Sequence, residues 1–524
     1  MITPDDRLSA YVEARAADAL GDQAKAARLF AALASADSAN PALSRRAVAT
    51  AIDSGDMRLA LSVARSMPAS ELALDGRLLL VADALRRDKI ADALRLVEGG
   101  VDDNGGGFVA PLIRAWAEQA AGRDGASRLA NLGADTLLAP FAVEQRAAML
   151  LASRRIDEGM ALVPGALSAA GGRETRLRLS FGALLARAGE RDRARALLVG
   201  DDVALKRLDL RRPQPGIAVD DAAAGFAELL LGIAVTLAQS NDRSFPLTLV
   251  QVARHAAPDN SEGAILLGLL LDRQERGIEA LAALDAIPAD DPFAADVLDT
   301  SVRLLLAAER GPEALGRASR AAAQSSAGAA DHGRLGNVLG ELDRHAEAAD
   351  AYARASASAA AEQASDRWVW HLLRAAQLEE VDRWPEARAA LTAGLVFEPD
   401  QPLLLNYLGY GSLERGENLE AAERMIRRAL ELRPGDASIT DSLGWALYKR
   451  GRLPEAIAAL RKAAAAETAE TEIHEHLGDA LYRAGQRHEA RFAWRAALLT
   501  AEDKEAERIE AKIGSGWTEA TAAP

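Results

Sequence analysis

Small and apolar residues return along this chain with a period near 34. Leu443-Gly444, Leu447, Tyr448, Ala456, Leu460 and Ala463 are matched by Leu477-Gly478, Leu481, Tyr482, Ala490, Trp494 and Ala497, with 477 − 443 = 34. Inside each block the apolar positions fall three and four apart, the spacing of a helix with one buried face. A small residue in the middle of the first helix serves as a ruler. It recurs at Ala14, Val48, Val81, Ala115, Ala148, Gly182, Gly232, Gly268, Val302, Gly336, Ala375, Gly409, Gly444 and Gly478. In most blocks a second small residue follows 12 positions later, in the second helix, as at Ala280, Ala314 and Ala348. About 14 two-helix units result (14 × 34 = 476), and they nearly fill the 524 residues. A chain of this length holds either several domains or one array, and the visible period selects the array.

Turn residues fall where helix pairs need them. Gly21-Asp22, Ser54-Gly55-Asp56, Ala188-Gly189-Glu190, Arg415-Gly416-Glu417, Lys449-Arg450-Gly451 and Arg483-Ala484-Gly485 lie between first and second helices. Glycine accepts the positive φ that ends a helix. Pro41, Pro258, Pro292, Pro399 and Pro434 fall between units, where proline stops one helix and opens the next. The period breaks between Gly182 and Gly232, whose spacing of 50 leaves an insertion of about 16 residues (50 − 34) around Arg211-Arg212-Pro213-Gln214-Pro215-Gly216. That places an irregular segment or hinge at 206–222, between a divergent array at 1–205 and a regular one at 223–500. A spacing of 39 between Gly336 and Ala375 lengthens a helix or loop near Ser356–Ser365. Residues 501–524 read as a capping helix over Asp503–Ile513 and a frayed tail from Gly514. An end unit needs one polar face.

Composition narrows the class. Hydrophobic residues make up 49 % and aromatics 4 %, with alanine supplying much of the apolar fraction. Alanine has the highest helix propensity and lets paired helices approach closely. The chain therefore reads as all-α. With 77 acidic and 62 basic side chains the formal net charge is −15, which argues against nucleic acid and against an anionic membrane surface as partner. No cysteine is present, so disulfides and thiolate chemistry drop out. No apolar run is long enough for a transmembrane segment. Met1-Ile2-Thr3-Pro4-Asp5-Asp6 has neither the basic start nor the apolar core of a signal peptide.

No constellation for catalysis stands out, and no cofactor is expected. P-loop, G-x-G-x-x-G, G-x-S-x-G and H-E-x-x-H patterns are missing from the sequence. His474-Glu475-His476 spaces its histidines at i, i+2, which a helix points apart, whereas a shared metal needs i, i+4. Gly105-Gly106-Gly107 reads as a loop. Trp368, Trp370 and Trp384 gather in one unit and read as core. The first helices carry the better signal. Three residues before the packing glycine come Asn406, Asp441 and Glu475. One after it come Tyr410, Trp445 and Asp479. Four after it come Leu413, Tyr448 and Tyr482.

The period and the quoted residues resemble the tetratricopeptide repeat (TPR). That resemblance implies a right-handed superhelical solenoid whose first helices line a concave groove. Asn406, Tyr410, Asp441, Trp445, Tyr448, Glu475, Asp479 and Tyr482 would then form a partner-binding face of aromatics, carboxylates and an amide. Such a face suits a peptide with basic or apolar side chains. The same spacing also fits Trp445, Tyr448 and Tyr482 packing between helices. An acidic groove is unlike the basic clamp with which some TPR proteins hold C-terminal carboxylates.

Over Leu403–Ile513 the resemblance is more specific. Asn406-Tyr407-Leu408-Gly409-Tyr410, Thr440-Asp441-Ser442-Leu443-Gly444-Trp445-Ala446-Leu447-Tyr448, His476-Leu477-Gly478-Asp479 and Glu507-Arg508-Ile509 are similar to proteobacterial envelope TPR proteins. These include the lipoprotein adaptor of a periplasmic carboxyl-terminal processing protease. The family implies a non-enzymatic scaffold or adaptor that tethers such a protease to cell-wall hydrolase substrates. The chain departs from those adaptors in lacking their signal and lipidated cysteine. Its expected place is the periplasm or outer-membrane periphery if a signal or lipobox has been removed, and otherwise the cytoplasm, as an assembly or chaperone-type TPR protein. On the groove reading, Trp445→Ala with Asp441→Ala weakens partner capture and leaves the melting temperature nearly unchanged.

Overall fold

A computed structural model describes every residue except 1–3, 99–106, 133–137, 201, 239–243, 363, 522 and 524. Residues 105 and 106 of the glycine run lie outside the described residues. Among the described residues there are thirty α-helices and no strand. All fourteen ruler positions fall inside the first helix of their unit. The chain is an all-α array of helix pairs.

The ruler works because it marks the closest approach within a pair. A methyl group added at Gly444 would sit 2.6 Å from Leu460, one at Gly268 2.7 Å from Leu284, and one at Gly336 2.7 Å from Tyr352. In each case the contact lies 16 residues on, in the second helix. Ala26, Ala60, Ala280, Ala348, Ala456 and Ala490, the second marks, are fully buried. Close packing leaves no slack for a larger side chain at either mark. The turns between paired helices share one backbone device, a residue with positive φ. Gly451 and Gly485 supply it at no steric cost. Asp88, Arg154, Glu275, Asp343 and Asp382 adopt it elsewhere.

Two compact units divide the chain, Met1–Glu309 and Arg310–Pro524. In the first, the layer of first helices is covered from within the same unit. Helix Ser244–Ala256 packs on helices Leu74–Arg86 and Pro41–Asp53, and helix Ala222–Leu237 packs on Leu74–Arg86 and Ala110–Ala120. Gln145 joins Trp116 Nε1 (3.2 Å) to the Gly225 carbonyl (3.2 Å). Arg276 reaches Asp53 at 3.2 Å. The stretch 206–222 lies inside this unit, with Ile217, Ala218 and Val219 buried. Gly216, at φ +72°, sits so close to the Asp259 carbonyl that a Cβ would be 1.8 Å away. The spacing of 39 resolves as a long second helix, His345–Ala361.

A buried ionic cluster ties the first unit together. Arg173 donates to Glu262 (2.8 Å) and to Glu228. Arg176 donates to Glu228 at 2.9 Å, and Asn260 Nδ2 reaches the same carboxylate at 3.0 Å. Glu144 is the weakly held member, 3.6 Å from Arg173, with Oε1 buried and without a hydrogen-bond partner. Burial pushes its carboxyl up to about 7, and the nearby Glu228 and Glu262 oppose the pull of Arg173. A raised carboxyl pKa means the folded state holds its proton longer than the unfolded chain. Stability is therefore lost as pH climbs from the ordinary carboxyl range to about 7. Glu144→Gln, an uncharged isostere, should melt near wild type at pH 5 and above it at pH 8. Calorimetry at the two pH values checks this, and equal gaps would refute it.

Candidate functional site

In the second unit the first helices Pro402–Glu414, Ala437–Lys449 and Thr471–Arg483 lie side by side. The second helices Leu419–Leu432, Leu453–Ala466 and Arg487–Ala497 back them. A cleft of about 340 Å³ opens across the first-helix layer. Asn406, Tyr410 and Asp441 line it, together with Glu379, Tyr407, Glu414, Arg415, Ser438, Glu470 and Glu472.

Each polar group in the cleft is held from a definite direction. Tyr410 donates to Glu472 at 2.6 Å, and burial together with that carboxylate pushes its phenol well above the usual range. Arg415 pairs with Glu379 at 3.0 Å and lies 4.3 Å from the Trp384 ring centre. Glu414 accepts from Trp445 Nε1 at 2.6 Å and faces Lys449 at 3.4 Å. Asp441 is buried, and its Oδ2 accepts from His476 Nδ1 at 2.9 Å. Asp441 Oδ1 and Asn406 Oδ1 are buried without a hydrogen-bond partner. His476 is fully buried. Burial opposes its charge, but Asp441, Glu472 and Asp479 outweigh burial and raise its pKa.

The eight residues expected on one open face separate into three groups. Asn406, Tyr410 and Asp441 meet in the cleft. Trp445 and Tyr448 belong to the packed layer, which corrects the groove reading for both. Trp445 is 1 % exposed and stacks on Tyr448 (4.5 Å, 7°) and on His476 (4.0 Å, 13°). The third group, Glu475, Asp479 and Tyr482, is covered by the chain's own C-terminus. From helix Asp503–Ser515, Arg508 grips Glu475 at 2.9 and 2.7 Å. Lys512, fully buried, places its ammonium 2.7 Å from Glu475 and 2.7 Å from Asp479. Burial alone would raise the Glu475 carboxyl, but the two cations hold it below its usual range. Asp479 is raised, burial outweighing Lys512.

The tail beyond Gly514 is likewise corrected. Trp517 Nε1 (3.2 Å) and the Ala523 amide (3.1 Å) both donate to Asp479 Oδ2. Gly516 approaches Tyr482 so closely that a Cβ would lie 2.3 Å from its hydroxyl. Trp384 is core, 5 % exposed, with Gly411 beneath its ring. Sequence reasoning missed Lys512 as a site residue. The available signal was a lysine beside the apolar stripe Ala506, Ile509 and Ile513, in a helix otherwise read as polar cover.

Two substitutions separate cover from cleft. Trp445→Ala should cost about 3–5 kcal/mol, as for a large aromatic removed from a close-packed core, measured by denaturant unfolding. A change near zero would return Trp445 to the open face. Lys512→Met keeps the stem and removes the ammonium, leaving two buried carboxylates short of a cation, at about 3–5 kcal/mol. The expected reading is a loss of amide-exchange protection across 471–515. Unchanged protection would show that Lys512 does not hold the cap.

No family model matches the chain. A TPR repeat-containing protein of Pseudomonas aeruginosa is 41 % identical over 59 residues, 11 % of this chain and 10 % of that protein. The match thus spans about a tenth of the relative's length. Among solved structures, the APC/C hetero-tetramer Cut9–Hcn1 aligns over 98 % of this chain and 97 % of its own at 16 % identity and a TM-score of 0.37. MamA from Desulfovibrio magneticus aligns over 33 % and 94 % at 17 % identity and a TM-score of 0.29. Among the described residues no helix is long and apolar enough to cross a membrane. The recurring helix pairs make the chain an all-α helical-repeat array, and the matched segment is similar to part of a TPR repeat-containing protein.

Proposed function

We propose that this protein is a non-catalytic scaffold of the bacterial cell envelope that holds a protein partner on the first-helix face of its second unit. One observation carries the reading: a cleft of about 340 Å³ lies across consecutive first helices, whereas the first unit covers the same layer with its own helices. Side chains fixed on packed helices present a preformed surface, so little ordering cost falls on binding. The similarity of Leu403–Ile513 to envelope adaptors supports a carboxyl-terminal processing protease as the partner, with a cell-wall hydrolase as its client. It also supports a site of action in the periplasm or at the outer-membrane periphery. The mechanism is tethering. Two modest contacts on one rigid array raise the effective concentration of protease and client, and no new chemistry is required.

Ser438→Trp tests the face. Ser438 is exposed on the cleft wall, so a bulky ring there fills the cleft and leaves the core untouched. The full-length wild type, used as bait in periplasmic extract, should retain a processing protease together with a hydrolase. The variant should lose both, with its melting temperature within about 0.5 kcal/mol equivalent of wild type. Capture that persists in the variant would remove the cleft from the reading. Retention of cytosolic proteins alone would remove the envelope.

A further inference from the structure

The last unit shows what its first-helix face accepts. Glu475 and Asp479 are saturated by Arg508 and Lys512, basic residues one helical turn apart on the cap helix Asp503–Ser515. The cap is therefore a ligand supplied in cis, and its recognition chemistry is a guanidinium and an ammonium between inner carboxylates.

One unit earlier the corresponding position is Asp441, since 475 − 441 = 34, and one unit before that it is Asn406, since 441 − 406 = 35. Among the described residues no cap helix packs on these positions as Asp503–Ser515 does on Glu475. Asp441 is 5 % exposed, yet its Oδ1 has no donor, and Asn406 Oδ1 has none either. A buried acceptor without a donor is costly, and a carboxylate more so. Both residues line the cleft, so a donor that meets these oxygens comes in from it.

Electrostatics fix the sign of that donor. Five carboxylates line the cleft (Glu379, Glu414, Asp441, Glu470 and Glu472) against one guanidinium, Arg415, which Glu379 already engages. Lys449 and His476 approach from behind but are taken by Glu414 and Asp441. In such a field a cation gains, whereas an anion or a neutral amide does not. We propose that the cleft between Asn406 and Asp441 receives a lysine or arginine side chain carried on a helix of the protein partner, repeating the chemistry of the cap. This rests on the reading of the first-helix face as the partner-binding surface. It adds the residue class that anchors the partner.

The test uses defined probes and the full chain. Three fluorescent alanine-rich helical peptides differ only at one i, i+4 pair, which is Arg and Lys, Gln and Gln, or Leu and Leu. Anisotropy should show binding of the Arg–Lys peptide, weakening as salt is raised, and no binding of the Gln peptide. Glu470→Lys, at an exposed rim position with no side-chain cap bond to lose, should weaken the Arg–Lys peptide about tenfold and leave the melting temperature unchanged. Asp441→Asn should weaken it as well. It also removes the charge that faces His476 and so touches stability, and the rim variant therefore decides. Equal binding of the Arg–Lys and Gln peptides, no binding of either, or strongest binding of the Leu peptide would each overturn the proposal. If the peptides fail while Ser438→Trp still abolishes capture, the cationic anchor falls and the scaffold reading stands.

Discussion

Everything in this fold depends on how closely two paired helices approach. Gly182, Gly268, Gly336, Gly409, Gly444 and Gly478 each face a large side chain 16 or 17 residues on, with no room for a Cβ between them. Once that contact is made, the rest of the first helix has a fixed azimuth. One stripe faces its partner helix, one faces the neighbouring first helix, and one remains outside. The residue class on the third stripe can vary without disturbing the other two. That is why the array tolerates Asn406, Asp441 and Glu475 at equivalent positions. The packing glycine carries the architecture, and the residue three before it carries the chemistry.

The two units use the third stripe differently. In Met1–Glu309 it becomes interior, because helices Ala222–Leu237 and Ser244–Ala256 lie over helices that precede them by more than a hundred residues. The unit gains a continuous core and a buried cluster of Arg173, Arg176, Glu228 and Glu262. Desolvating these charges is expensive, and they are tolerable because nearly every lone pair has a donor. In Arg310–Pro524 a cleft opens beside Asn406 and Asp441, and Lys512 covers the pair that follows. A buried lysine between two carboxylates covers the pair of helices Thr471–Arg483 and Arg487–Ala497 polar-side-in. The preceding pair keeps its own acid, Asp441, at the cleft.

How much of this was legible in the sequence follows from the range of each interaction. The helix pairs could be read because their defining contact is local: Gly444 with Leu460, Gly478 with Trp494. The turns could be read where glycine holds the positive φ. They were silent where Asp343 or Arg154 does the same, because nothing in those residue types announces the conformation. The closure of the first unit left no signature, since the contact between helix Ser244–Ala256 and helix Pro41–Asp53 spans some two hundred residues and uses ordinary apolar side chains. At the cleft, spacing pointed to helices that line it, and Asn406, Tyr410 and Asp441 are among its lining residues. It could not separate Trp445 from Tyr410, equivalent positions in successive units. Tyr410 turns its hydroxyl to Glu472 in the cleft, whereas Trp445 is clamped between Tyr448 and His476.

The covered and uncovered acids are best understood together. Glu475 and Asp441 occupy equivalent positions, and each is a carboxylate that the fold takes almost wholly out of water. The chain solves the first case by spending its own C-terminal helix on two cations. In the second it provides one partner, His476, and leaves the other oxygen unmet. If Asp441 served stability alone, an asparagine or serine there would satisfy the same histidine with less desolvation. A carboxylate kept half-satisfied at the edge of an acidic cleft is intelligible as a position whose second partner arrives from outside. The difference between the two acids is then one of source. The same cationic chemistry is covalently attached at the end of the array and has to be bound one unit before it.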